Sequence, residues 1–480
     1  MSAAEKYDVL VLGSGTAGKV MAWTMAKEGR RTAVVERKYI GGSCANIACL
    51  PAKNVIHSAK VASLVGRHKE FGIEIGPITI DMAGVYARKR AMVEGIIQVH
   101  LDKYHTAGDE LILGNGIFIA PRTLQVALRD GGERTLTADR VFVNVGTQAT
   151  IPDIPGLREA KPMTHIEALD LQWRPEHLIV LGGGYIGLEL SQALRRLGSQ
   201  VTLIERGSQI ASNEDPDVSQ AILKLFLDDG IDVLLETRVL RVDGVSSGHV
   251  SLELQSEKGV RKIGGTDILV AVGRTPNTTG IGLELAGIEV TEKGHIRVND
   301  RLETTAPNVW AMGECAGSPY FTHISEDDFS IINENLNGGH RSTRDRLVPY
   351  CVFIDPELAR VGLNESQARE KGVAYRVASV PVDAAAWRPW TLSERRGFMK
   401  TLIDADTDRI LGFTGFGPMA GELMGTVQLA MLAGLPYTIL RDAMFAHPTM
   451  TEGLKALFMG VPQRLDDHAE QLQHARSSAN

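Results

Sequence analysis

A glycine-rich strand-to-helix turn occurs twice in this 480-residue chain, with the same internal ruler each time. Apolar DVLVLG leads into Gly13, Gly15 and Gly18, a helical stretch ends near Gly29, and TAVVE ends at Glu36. HLIVLG repeats the pattern with Gly182, Gly184 and Gly187, a helix to about Gly198, and VTLIE ending at Glu205. The last glycine precedes the acid by 18 residues in both copies. In such a turn the first glycine permits the bend, the second lets the backbone approach a pyrophosphate, and the third packs helix on strand. The helix N-terminus adds free N–H groups and the positive end of a dipole. Two βαβ units of this kind predict two dinucleotide-binding folds.

In that setting Glu36 and Glu205 accept hydrogen bonds from ribose hydroxyls; the alternative is that both acids simply end strands at the surface. A carboxylate repels a 2′-phosphate, so Glu205 favours NADH over NADPH, a preference that Arg206 beside it weakens.

Between the two units lies GGSCANIACLPAK, with Cys44 and Cys49. In a regular helix, residues five apart have Cα atoms about 8.6 Å apart, whereas a disulfide needs less than about 7 Å. If these cysteines pair, the helix is distorted there, with Gly41 and Gly42 loosening the chain before it and Pro51 disturbing the turn after it. A strained local bridge is a candidate redox couple rather than a staple. Two thiols placed between two dinucleotide sites suggest electrons passing from a nicotinamide, through a flavin, into a disulfide.

Length predicts about three domains. A net charge of -7 and a pI near 6.0 leave no basic footprint for nucleic acid or an anionic membrane surface. The start MSAAEKYDVLVLG has no basic leader, and no later segment approaches the ~18 consecutive apolar residues of a membrane span. These features give an expectation of a cytoplasmic protein. With four cysteines in a reducing compartment, a catalytic pair is favoured over a structural one.

Downstream, LVAVGRTPN (269–277) is a strand running into a turn, and VWAMGECAG (309–317) is another, followed by a helix from about His323 to Leu336. From about Leu347 the texture becomes α+β, with helices around Met419–Ala433 and Glu452–Phe458. The polar tail after Pro462 is expected to be frayed or partly helical.

Seven motifs in order resemble those of the pyridine nucleotide-disulfide oxidoreductases, the flavoprotein group of lipoamide dehydrogenase, glutathione reductase and mercuric reductase. They are the first glycine loop, GGSCANIACLPAK, VFVNVGTQATIPDIPG, GGGYIGLE, GRTPN, AMGE and AHPTMTE. The resemblance implies an α/β fold: two Rossmann-like domains, for FAD and NAD(P), plus a C-terminal α+β dimerisation domain. The expected boundaries are 1–153 (FAD, first segment), 154–279 (NAD(P)), 280–345 (FAD, second segment) and 346–480 (dimerisation). It also implies a homodimer with active sites completed across the interface, and a small-molecule disulfide or dithiol as substrate.

Carried over residue by residue, Cys49 resembles the flavin-proximal thiol and Cys44 the interchange thiol that attacks substrate. His447 and Glu452 match the HPTxxE acid–base pair, in which a carboxylate fixes the tautomer of a histidine that titrates near neutral pH. Lys53 and Glu189 match an ion pair beside the reactive edge of the flavin, or else are ordinary solvated helix charges. Tyr185 resembles an aromatic gate that covers the flavin until nicotinamide displaces it, or else packs. Thr16, Ser43, Gly146, Thr147, Gly273, Arg274, Gly313, Glu314 and His323 complete the expected cofactor-binding set, for FAD and NAD(P)H; no metal is expected. Cys315 and Cys351 read as small core residues.

The sequence departs from the pattern in places. Glu314 stands where the family has an aspartate that binds a ribityl hydroxyl, so FAD binding is expected with a shifted backbone or a bridging water. Asn144 and Thr147 replace residues of an ATGS stretch, with Thr147 offering a similar hydroxyl. No vicinal cysteines occur near the C-terminus, which argues against mercury as substrate. The implied reaction is a relay from NADH through FAD and Cys44–Cys49 to a small disulfide, or its reverse as a dihydrolipoamide dehydrogenase. The alternatives are a redox-sensing or interaction flavoprotein with little turnover, and a flavin oxidase using one sulfenic cysteine.

Overall fold

The computed structural model of the protein describes residues 4–344 and 346–464. Its first unit opens with the expected βαβ: β1 (Glu5–Leu12), α1 (Thr16–Lys27) and β2 (Thr32–Glu36). There follow α2 (Ser43–Asn46), α3 (Cys49–Gly66), α4 (Met82–Ala107), β3 (Glu110–Ala120), β4 (Thr123–Leu128), β5 (Glu133–Val143) and β6 (Thr147–Ala149). β1 runs parallel to both β2 and β5, and β3 pairs parallel with β2 before turning back through β4 as an antiparallel meander. The strand Val309–Ala311 returns from far along the chain to lie parallel to β5. β1 is buried on both faces, with Leu10 and Leu12 in one core and Val9 and Val11 in the other. That double burial is why the strand reads as an unbroken apolar run. α1 lays Ala17, Met21, Ala22 and Met25 onto it at helical spacing.

The second unit repeats the arrangement after a short α5 (His165–Leu169), with β7 (His177–Leu181), α6 (Tyr185–Arg196) and β8 (Gln200–Ile204). Its parallel sheet runs in the order Asp267–Val270, β7, β8, Asp232–Leu234. An antiparallel ribbon of Arg238–Val245, His249–Ser256 and Gly259–Gly265 shares a core with it. The third unit is an antiparallel sheet in the order Tyr350–Val352, Glu357–Gly362, Ile410–Gly417, Phe398–Asp404, Tyr375–Pro381. Helices Ala420–Leu432 and Gly453–Met459 share its core through Val427 and Leu454.

The fold is therefore α/β with an α+β C-terminal part. The helix expected from His323 begins one residue earlier and spans Thr322–Leu336. Most of the polar tail falls on 465–480, outside the described residues. Among the described residues no helix is long and apolar enough to cross a membrane.

Candidate active site

The two cysteines lie on either side of a helix break, with Gly41 and Gly42 in left-handed backbone (φ 85° and 82°) ahead of it as expected, but Pro51 playing another part. α2 ends at Asn46, Ile47 and Ala48 leave the helical region with φ of -141° and -132°, and α3 starts afresh at Cys49. Pro51 sits in the first turn of α3, where its missing N–H has no intrahelical partner to lose, so it begins the helix instead of disturbing it. Asn46 Nδ2 donates to the carbonyls of Ile40 (2.9 Å) and Gly42 (2.8 Å), which ties the loop ahead of Cys44.

Cys44 and Cys49 are free thiols close enough to share a hydrogen bond. That hydrogen bond, opposed by burial and assisted by the Thr322 hydroxyl and the Lys53 ammonium, lowers the Cys49 pKa to about 6. The same hydrogen bond, with burial, pushes Cys44 up. Thr322 Oγ1 lies 3.3 Å from the Cys49 sulfur. Cys49 opens α3 and Thr322 opens the helix Thr322–Leu336, so two helix N-termini favour negative charge on this sulfur. Lys53 Nζ reaches both Glu189 oxygens, at 2.8 and 3.0 Å, which joins α3 to α6 across the two units. Glu189 also accepts the Phe353 N–H at 2.8 Å.

Cys44, Cys49, Lys53 and Glu189 line a cavity of about 2830 Å³ onto which both glycine turns open. That is roughly three times the upper end for a small-ligand pocket. Its walls carry bare backbone at Gly146 and Gly184, where a Cβ would meet nothing within 4 Å. Open backbone at Gly184 of the second turn and at Gly146 after β5, the N-termini of α1 and α6 and this volume fit two dinucleotides, one of them a flavin beside the thiols.

Residues 7–328 match the family model described as pyridine nucleotide-disulphide oxidoreductase, and 348–458 match its dimerisation domain. The chain belongs to this family. It is 37% identical over 462 residues to the probable pyridine nucleotide-disulfide oxidoreductase RclA of Escherichia coli, covering 94% of this chain and 99% of that protein. Dihydrolipoamide dehydrogenase of Chaetomium thermophilum is 31% identical (95% of this chain, 91% of that one), and mercuric reductase of Bacillus cereus 33% (94% and 70%). Among solved structures, a Cu(II) complex of the HOCl-induced flavoprotein disulfide reductase RclA from Escherichia coli superposes with a TM-score of 0.86 at 36% identity, covering 95% of this chain and 99% of that one.

Against that family background, most expected cofactor residues lie on the cavity wall: Gly13, Gly15, Thr16, Glu36, Ser43, Thr147, Gly182, Tyr185, Glu205, Gly273, Arg274, Glu314 and His323. Gly18, Gly187 and Gly313 stand behind it instead. A Cβ at Gly18 would lie 2.3 Å from the Gly13 carbonyl oxygen, and one at Gly187 2.0 Å from that of Gly182, so both serve close helix–strand packing. The Gly313 N–H donates to buried Asp328 at 2.7 Å. Glu36 already accepts four hydrogen bonds, from Ser14 N and Oγ and from the N–H groups of Lys38 and Tyr39. Its carboxylate is thus fully engaged in shaping the turn. Glu314 accepts from Thr147 Oγ1 and lies 3.2 Å from Arg274 Nε, so its longer side chain ties β6 to the strand Arg274–Pro276 that pairs with it.

His447 and Glu452 form their expected pair, with Nδ1 2.8 Å from Oε2, but His447 is 63% exposed and lies off this cavity wall. Cys315 is buried, as expected, whereas Cys351 is half-buried and lines the cavity, where burial pushes its thiol up. Sequence reasoning missed Thr322, whose only signal is a hydroxyl at a helix start. It also missed the part played by Asn144, which accepts from Gly18 N (3.1 Å) and donates to the Met312 carbonyl (2.7 Å), joining the first loop to the returning segment.

Proposed function

We propose that this protein is an FAD-dependent dithiol/disulfide oxidoreductase that passes two electrons between NAD(P)H and a small disulfide through Cys44 and Cys49. The observation that carries the reading is the Cys44–Cys49 pair set beside Lys53–Glu189 where two dinucleotide turns share one cavity, with the Cys49 thiol drawn below its ordinary pKa. When bound, FAD supplies the two-electron link between nicotinamide and the cysteine pair. Cys44 passes its proton to His447 and attacks a substrate disulfide, forming a mixed disulfide and expelling a thiolate that takes that proton back from His447. Cys49 then attacks the Cys44 sulfur, releasing the second substrate thiol and closing the Cys44–Cys49 bond. Glu452 holds the His447 tautomer.

The exposure of His447 supports a homodimer in which the histidine of one subunit meets the cysteine pair of the other. Domain limits of 1–153, 154–279, 280–345 and 346–480 accord with the returning strand Val309–Ala311 and the separate C-terminal sheet. NADH is preferred over NADPH on the strength of Glu205, and a reducing, cytoplasmic setting suits a pair that must cycle.

Steady-state assay of the holoenzyme with NADH and NADPH against lipoamide and a panel of low-molecular-weight disulfides tests this reading, with Cu(II) included because the similar RclA structure is a Cu(II) complex. The expected result is NADH-driven disulfide turnover abolished by Cys44→Ser. An anaerobic NADH titration taking up only two electrons would instead favour a sensor.

A further inference from the structure

One wall of the cavity is a column of stacked rings that ends at a buried carboxylate. Tyr185 stacks on Tyr350 with centroids 5.5 Å apart, Tyr350 on Phe321 at 5.4 Å, and Phe321 on His323 at 5.4 Å, with interplanar angles of 27°, 7° and 16°. Glu214, 3% exposed, closes the Tyr185 end. The Tyr185 hydroxyl donates to Glu214 Oε1 at 2.6 Å, and the Tyr350 hydroxyl donates to the same oxygen. Arg360 Nε donates to Tyr350 Oη and lies 3.2 Å from Glu214 Oε2. Arg360 is itself fixed by Gln367 Oε1 (2.8 Å) and the Asn213 carbonyl (3.3 Å). The next residue, Asp215, is held by Lys400 and by the Ser366 N–H. The carboxylate is thus gripped by residues of the C-terminal sheet, while the tyrosine it holds belongs to the second glycine turn.

We propose that Glu214 latches Tyr185, so that Tyr350 and Arg360 of the C-terminal sheet set how readily a nicotinamide ring is admitted at this wall. The inference rests on the functional reading above and on the gate role that the family resemblance gives Tyr185, in which the ring gives way to nicotinamide. A phenol that donates to a buried carboxylate leaves it only by breaking a charge-assisted hydrogen bond, which is stronger than one between neutral groups. It also gives up an aromatic stack. Glu214 touches no reacting atom; it is a positioning residue for Tyr185.

Binding of 1,4,5,6-tetrahydro-NADH, which cannot donate hydride, is compared by calorimetry with binding of ADP-ribose, which has no nicotinamide. Tyr185→Phe keeps the ring and removes the bond. It should tighten tetrahydro-NADH by about tenfold while leaving ADP-ribose within about twofold. Glu214→Gln, or Tyr350→Phe where the former folds poorly, should tighten it by about threefold, and should add nothing in the Tyr185→Phe background. Unchanged or weaker tetrahydro-NADH binding in Tyr185→Phe, or equal changes for both ligands, overturns the latch. These affinities are read whether or not the protein turns over disulfides, so failure of the latch and failure of the functional reading are separate results.

Discussion

Gly13 and Gly182 hold nearly the same left-handed backbone, with φ of 97° and 106°, and a Cβ on either would strike a carbonyl oxygen of the neighbouring strand: Asn144 at 2.4 Å, Ala271 at 2.5 Å. The next glycines differ. A Cβ on Gly15 would lie 2.3 Å from Asn144 Oδ1, whereas one on Gly184 would meet nothing within 4 Å. The acids differ as well, because Glu36 accepts four hydrogen bonds from its own turn and Glu205 only two, from Gly183 and Gly207. The first turn is locked by an amide from a distant strand, and the second carries a methyl group, that of Ala271, at the corresponding place. A locked turn suits a cofactor that stays; a looser one suits a nucleotide that exchanges in every cycle.

The largest effect should come from setting Gly15→Ala against Gly184→Ala. The first forces Asn144 aside and should cost about 2–3 kcal/mol, with FAD lost on purification. The second should leave thermal unfolding nearly unchanged and weaken NADH binding alone. Equal losses in calorimetry and flavin content would erase the contrast.

Asn144→Ala sharpens the same comparison. It leaves the Gly18 N–H and the Met312 carbonyl without partners, at a cost of about 1–3 kcal/mol, read by denaturant unfolding and by the FAD dissociation constant. A variant as stable as the parent would show that the amide does not lock the turn.

A third contrast concerns the cysteine arm, which follows only the first unit and is read as a slope with pH. Cys49 titrates near 6 when folded, against an ordinary value of 9.0. Between these pH values the unfolded chain binds the extra proton, so the stability of the reduced protein rises from pH 6 to 9 and is lost as pH falls through about 6. Three pKa units are worth about 4 kcal/mol, so the Tm should climb by about 4 °C over this window. Cys49→Ser should be flat there; the same slope in that variant would assign the titration elsewhere.

Much of this molecule was legible in one dimension. Parallel strands buried on both faces must be apolar throughout, so DVLVLG and HLIVLG announced themselves. The steric needs of a phosphate turn fix its glycines, and those glycines lie within a few residues of one another. Cys44 and Cys49 were equally visible, because a spacing that admits pairing only with a helix break is local. What pattern could not reach was every contact made across the chain. Cys49 gains the Thr322 hydroxyl beside its sulfur, the first turn its rigidity from Asn144, and Tyr185 its position from Glu214, Tyr350 and Arg360, each on another element. Glu314, expected as a lengthened ribityl ligand, also meets Thr147 and Arg274, contacts that its own stretch of sequence does not announce. Local sterics and hydrophobic periodicity are written into neighbouring residues, whereas the partner of a buried polar atom is chosen only when packing brings distant segments together.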